Sequence, residues 1–313
     1  MFQNFIISIE AVAPMFLIMA IGIWVRKLGL LHEQEAKRLN KLVFHVFFPP
    51  LMFSNLYGAQ IGNAFHGKLI AFSVIMVLLA FAATTAIVMK IEKSNQKRGA
   101  MIQAIYRSNF VIMGIPVVSN IFGGENLATT AVAITVIVPL YNILAVVVLE
   151  IFRGGRPSIG HIMKGICTNP LIIGAVLGAL TIPLRLELPT FLESTLFSMK
   201  EVATPMALLV LGASLNRKSL EESKRNLTIC LLGRLVIVPA LALTIGAAIG
   251  LRDVAFVTLI AIFASPTAVS SYTMAEQMDS DGQLAGNCVV FSSALSSITL
   301  FGWIFVFKTM GMF

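Results

Sequence analysis

The chain has 313 residues, of which 57% are hydrophobic and only 12% are charged, about half the charged share of an ordinary soluble domain. Its mean hydropathy is +0.88, and so much apolar surface left in water would aggregate. The composition therefore excludes a soluble domain, a disordered chain and a disulfide-stapled secreted one. The net charge of +8 belongs to loops rather than to a nucleic-acid partner, because Lys and Arg of membrane proteins collect on the cytoplasmic side.

A helix needs about 20 mostly apolar residues to cross a bilayer. Ten stretches qualify: 5–25, 38–57, 68–89, 100–122, 127–149, 162–182, 190–215, 227–250, 254–276 and 284–307. The fold expected is all-α integral membrane. The opening MFQNFIISIEAVAP has no basic stretch and carries Glu10, so it reads as the first span and not as a cleaved signal peptide. The seventh span is interrupted by Lys200 and Glu201, and Cys167, Cys230 and Cys288 fall in apolar runs without metal-binding spacing.

Loop charge sets the orientation. Arg26, Lys27, Lys37 and Arg38 follow span one, and Lys90, Lys93, Lys97 and Arg98 follow span three. Arg153 and Arg156 follow span five; Arg217, Lys218, Lys224 and Arg225 follow span seven. Both termini are expected outside a cell membrane. The loop 277–283 disagrees, with Asp279 and Asp281 and no basic residue.

The segment 150–161 (EIFRGGRPSIGH) divides five spans from five, so the halves 1–149 and 162–313 are expected to be five-helix repeats inserted in opposite senses, joined by a cytoplasmic linker. Prolines support duplication. Pro14 and Pro170 are each followed eight residues later by a glycine, Gly22 and Gly178. Pro50 and Pro205 follow Pro14 and Pro170 by 36 and 35 residues, and Pro116 and Pro266 stand in spans four and nine. Pro139 and Pro239 have no counterpart.

Spans four and nine, RSNFVIMGIPVVSN and IFASPTAVSSYTM, each place a proline near mid-span among small and polar residues. Proline removes an amide and frees a carbonyl four residues back, here Ile112 and Ile262. Lipid offers that carbonyl no partner, so such backbone must face protein or water. Matched breaks in two halves point to a transport site. Half-helix amino ends would suit an anion, and freed carbonyls a cation such as Na⁺. Asn109, Ser265, Thr267, Ser270, Ser271 and Tyr272 would supply neutral hydrogen bonds; two simple kinks are the alternative.

These residues resemble the auxin efflux carrier family of membrane transporters, which includes bacterial dicarboxylate permeases and plant PIN-type carriers. The segments carrying the resemblance are PMFLIMAIGIWVRKLGLL with LNKLVFHVFFPPLMFSN, NFVIMGIP, TNPLIIGAVLG and SPTAVSSYTMAEQM. The resemblance implies ten helices in two inverted five-helix repeats, spans four and nine crossing at their prolines, an elevator-like motion and an organic-anion substrate. By motif match it places Asn109, Gly114, Pro116, Asn169 and Pro266 at or beside the site, with Asn40 and Asn55 flanking Pro49–Pro50. The plant carriers place an Asp and a Lys in span three; LIAFSVIMVLLAFAATTAIVM has no acid, which departs from a proton mechanism of that type.

Ionisable residues inside spans are functional candidates. Arg107 and Arg234 stand about 12 Å in from cytoplasmic span starts at ~1.5 Å per residue. Either would grip a carboxylate bidentately, or would snorkel to the headgroups. Glu10, Glu201, Glu276 and His45 are the remaining titratable groups considered for proton carriage. An intramembrane enzyme is disfavoured: HEQEA departs from HExxH, and GASL lacks the second glycine of a serine-protease motif. The expectation is a secondary transporter for a small mono- or dicarboxylate, such as malate or malonate. It needs no cofactor, couples to H⁺ or Na⁺, and has the lipid bilayer and a second copy in a homodimer as partners. An auxin-like or amino-acid-related exporter is the alternative substrate reading, and a channel the alternative mechanism.

Overall fold

The computed structural model describes residues 2–57, 66–123, 127–153 and 159–313. Within them the regular structure is helical, apart from one isolated antiparallel pair, Ser108 with Thr267.

The first predicted span is α1 (Phe2–Lys27), with Pro14 inside it. The second is α2 (Glu33–Leu42), a wide π turn over Val43–Phe47, and α3 (Phe48–Ser54), whose first turn holds Pro49 and Pro50. The third is α4 (Gly67–Ile91). The fourth is interrupted, as α5 (Asn95–Tyr106) and α6 (Phe110–Phe122). The fifth, α7 (Ala128–Phe152), runs through Pro139. The sixth is α8 (Ile159–Thr168) and α9 (Pro170–Leu184), a pair bent by 60° at Asn169.

The seventh, α10 (Thr190–Ser214), is continuous through Lys200, Glu201 and Pro205, and the short α11 (Arg217–Glu222) follows. The eighth is α12 (Lys224–Leu232), a second π turn over Gly233–Ile237, and α13 (Val238–Ala248). The ninth is interrupted, as α14 (Asp253–Ala264) and α15 (Ser270–Gln277), and the tenth is α16 (Gly282–Thr309).

Five of these helices are long and apolar enough to cross a membrane, and the bent α8–α9 pair makes a sixth. Large apolar side chains such as Leu17, Ile75, Leu79, Leu177 and Ile298 stand exposed around the outside, where lipid would cover them. The inverse holds for α14. Every residue from Ala255 to Ala264 is buried, as expected of a helix that is hydrophobic all round and sits at the centre of the bundle.

Glycines bring helices into backbone contact in two places. A methyl group at Gly22 would collide with the Leu209 carbonyl of α10, and one at Gly212 with the Met19 carbonyl of α1. Likewise Gly174 and Gly178 of α9 lie against the backbone of Pro49 and Phe53 in α3. Gly22 and Gly178, each eight residues after a proline, thus serve equivalent close approaches. The matched prolines differ in effect: Pro50 follows a π turn, while Pro205 leaves α10 uninterrupted.

The loops after spans one, three, five, seven and nine are tied together at one end. The Arg26 guanidinium donates to the carbonyls of Ala213 at 2.8 Å and Leu215 at 3.1 Å, closing the end of α10. Asn226 donates to Glu92 at 2.6 Å. Burial works to raise the Glu92 carboxyl, but bonds from the Ser94 amide, the Asn226 side chain and the Lys93 amide outweigh it, and hold it below 4.5. The acidic loop that disagreed with the charge rule sits at this same end. Asp279 pairs with Arg153 at 2.9 Å, and Ser280 donates to the Gln96 carbonyl at 2.6 Å. Its missing basic residue is supplied by the neighbouring loop. Linker residues 154–158 and the Glu10 side chain lie outside the described part.

A branched side chain at Gly212 must push α10 off α1. Gly212→Val should lower stability by about 1–3 kcal/mol, read as a fall in melting temperature in detergent. Gly302→Ala, at a position with open space, should stay within about 0.5 kcal/mol of the parent.

Candidate functional site

Spans four and nine cross where both lose their helices. The α5 helix ends at Arg107, in extended backbone; Ser108 pairs with Thr267, and the Asn109 amide donates to the Pro266 carbonyl at 2.7 Å. A two-stranded contact of this kind gives each segment the backbone partners it lost on leaving the helix.

Side chains satisfy three carbonyls at the end of each half-helix. At the end of α5, Thr267 Oγ1 donates to Ala104 O at 2.9 Å. Arg234 donates to Ile105 O at 3.2 Å and to Tyr106 O at 3.0 Å. At the end of α14, Ser265 Oγ donates to Ala261 O at 2.5 Å, Tyr141 Oη to Ile262 O at 3.4 Å, and Arg234 Nη2 to Phe263 O. The Thr267 amide is taken by Ser292 Oγ at 3.0 Å.

The amino ends are left more open. Neither Asn109, which starts α6, nor Val269, which starts α15, caps its helix with a side-chain bond. Both ends face a cavity also walled by Phe48, Leu51, Met52 and Asn55 from the α3 span, Val138, Tyr141 and Asn142 from α7, and Thr204 and Ala207 from α10.

Arg107 lines this cavity and is 2% exposed. Its Nη1 donates to Gln103 Oε1 at 3.2 Å, Ser271 Oγ at 3.4 Å and Met274 Sδ at 3.1 Å; its Nη2 donates to Ser270 Oγ at 2.7 Å and to Asn142 Oδ1. All these partners are neutral. The ion pairs among the described residues involve Lys37 with Glu33, and Arg153 with Glu150 and Asp279. A buried charge with no counter-charge keeps part of its desolvation cost, and here it does so at a cavity wall. The Asn109 side-chain nitrogen, on the same wall, is buried with no partner.

The sequence expectations separate accordingly. Arg107, Asn109, Ser270 and Asn55 share the cavity, and Ser271 holds Arg107. Ser265, Pro266 and Thr267 build the crossing behind it. Tyr272 turns away to donate to Ser214 at 2.7 Å. Asn40 ties the α2 span to the Thr273 carbonyl at 3.2 Å. Asn169 starts α9, accepting from the Leu171 amide at 3.0 Å. Glu201 is exposed on α10 and does not line the cavity.

Two expectations are corrected. Span four does not break at Pro116. That residue and Gly114 lie inside α6, Gly114 against the Phe110 ring, and the interruption falls at 107–109. Only Pro266 stands at the crossing, because the Thr267 strand supplies Ser108 and Asn109 with partners and no proline is needed. Nor do Arg107 and Arg234 snorkel, since both are buried inside the bundle.

Gln103, Tyr141 and Asn142 were not singled out from the sequence. Asn142 in ITVIVPLYNILAVVV is a lone amide in an apolar run, a signal of the kind that made Arg107 conspicuous.

An exposed apolar girdle around helices interrupted in the bundle interior defines a multi-pass membrane protein. The comparisons agree: a sequence model described as membrane transport protein matches residues 7–162 and again 158–304. The chain belongs to this auxin efflux carrier-type family of membrane transporters. It is similar to an uncharacterized transporter of Methanothermobacter thermautotrophicus, 27% identical over 95% of this chain and 97% of the relative. It is also similar to one of Methanocaldococcus jannaschii, 23% identical over 95% of this chain and 99% of the relative.

Thr267→Val keeps the shape of the crossing but orphans the Ala104 carbonyl. An unsatisfied buried acceptor costs about 1–3 kcal/mol, so the variant should unfold several degrees below the parent in a thermal scan. An unchanged melting temperature would show that this bond does not hold the crossing.

Proposed function

We propose that the protein is a secondary transporter that carries a small organic anion across the cell membrane, with the carboxylate held by Arg107, Asn109 and the amino ends of α6 and α15. The observation that carries this reading is Arg107: a buried cation on a cavity wall, hydrogen-bonded only to neutral groups, with no acid within ion-pairing distance among the described residues. A carboxylate supplies the missing charge and accepts two parallel bonds from a guanidinium.

The remaining wall narrows the substrate. Phe48, Leu51, Met52, Val138 and Ala207 are apolar, and Asn55 and Thr204 are neutral. One cationic end and an apolar body suit a monocarboxylate better than malate or malonate, whose second carboxylate would meet no second cation in this lining.

Alternating access of the elevator kind is supported by how the helices divide. The glycine contacts lock α1 to α10 and α3 to α9 as a frame. The crossing of α5, α6, α14 and α15 forms a second body, and the cavity lies between the two. Ten spans in two inverted five-helix repeats, 1–149 and 162–313, fit the paired interruptions and the twofold family match.

The test is thermal stability of the purified protein against monocarboxylates, dicarboxylates, amino acids and indole acids. A ligand at about 100 times its Kd adds about 2.7 kcal/mol. A monocarboxylate should stabilise the parent, and Arg107→Gln should weaken it at least about tenfold, roughly 1.4 kcal/mol. Silence across the panel, or an Arg107→Gln variant that binds as well as the parent, would overturn the reading.

A further inference from the structure

Interrupted helices present their carbonyl ends as partial negative charge, and in broken-helix carriers such ends coordinate a coupling cation. At this crossing the position is taken by a side chain. The carbonyls of Ile105 and Tyr106 from α5, and of Phe263 from α14, converge on the single guanidinium of Arg234. Nη1 serves α5 and Nη2 serves α14, so one planar fork bridges the carboxyl ends of both interrupted spans, which a point-like ammonium does not do.

The placement is built in. Arg234 comes from the π turn Gly233–Ile237 and is fully buried. Gly233 packs against the Ile105 side chain, bringing that turn onto the end of α5. No ion pair among the described residues involves Arg234. Its charge is held by carbonyl dipoles, as that of a coordinated ion would be. Unlike Arg107, it is not among the residues lining the cavity.

We infer that Arg234 is a tethered resident cation, holding the place a coupling Na⁺ would occupy. The protein then binds and moves its anion without Na⁺, and removing the side chain uncovers a monovalent-cation site made of the Ile105, Tyr106 and Phe263 carbonyls. The consequence for transport rests on the anion-carrier reading above; the cation site itself does not.

The experiment is thermal unfolding of the full chain in detergent, in sodium chloride against choline chloride at equal ionic strength. The parent should melt at the same temperature in both. Arg234→Ala should melt lower and recover saturably with low millimolar methylguanidinium or Na⁺, but not with choline, which is too large for the vacated space. A Na⁺-dependent rise in the parent would overturn the inference. So would an Arg234→Ala protein that folds and responds to neither small cation. Should Arg234→Ala fail to fold, the parent comparison still decides, together with Arg234→Lys, which keeps the charge and should fold and remain indifferent to Na⁺. None of these measurements needs a substrate. Absence of any anion ligand would therefore overturn the transport reading alone, and a Na⁺ response in the parent this inference alone.

Discussion

Backbone carbonyls freed inside a bilayer have no water to turn to, and each one left bare costs several kcal/mol. Two spans of this protein stop being helical in the bundle interior, which frees carbonyls that include the six on residues 104–106 and 261–263. Thr267, Ser265, Tyr141 and Arg234 between them satisfy all six. Those donors come from spans five, eight and nine. The need to place them explains why α7 and the α12–α13 span must lie against the crossing, and why α14 is enclosed on every side.

Satisfying the carboxyl ends with fixed side chains leaves the amino ends as the open part of the crossing. Each half-helix amino end carries about half a positive charge, and Arg107 adds a whole one at the same wall. The resulting field has a definite direction: carbonyls and Arg234 on one side of the paired segment, amides and Arg107 on the other. A ligand entering the cavity meets the positive side, so the anion selection proposed above would belong to the backbone architecture as much as to any one residue.

Much of this was legible in the sequence, for physical reasons that differ by element. The ten apolar stretches show because lipid tolerates little else over a helix of crossing length. Ser265–Ser271 shows because proline and clustered hydroxyls are costly in such a run. The break in span four was misplaced at Pro116 because its true cause is not local. Ser108 and Asn109 leave the helix since Thr267 and Pro266, some 160 residues away in the chain, offer backbone partners. The loop 277–283 looked anomalous for the same reason, its counter-charge lying on Arg153. The π turns left no readable mark, since an extra residue in a helical turn alters neither composition nor hydrophobic period detectably. Yet one of them delivers Arg234.

Two buried arginines therefore differ in what surrounds them. Burying a cation costs several kcal/mol unless its surroundings restore what water gave. Arg234 recovers this from three carbonyls at helix ends, whose partial negative charge opposes its own. Arg107 has hydroxyl, amide and thioether partners, which satisfy its protons but do not neutralise its charge. The deficit remains at the cavity, and a bound carboxylate removes it. An occupied crossing thus carries less net charge than an empty one. In the proposed transport cycle, moving it past the apolar residues of α3 and α10 would cost less electrostatic work, so the same unpaired cation that would select the anion would also couple the motion to its presence.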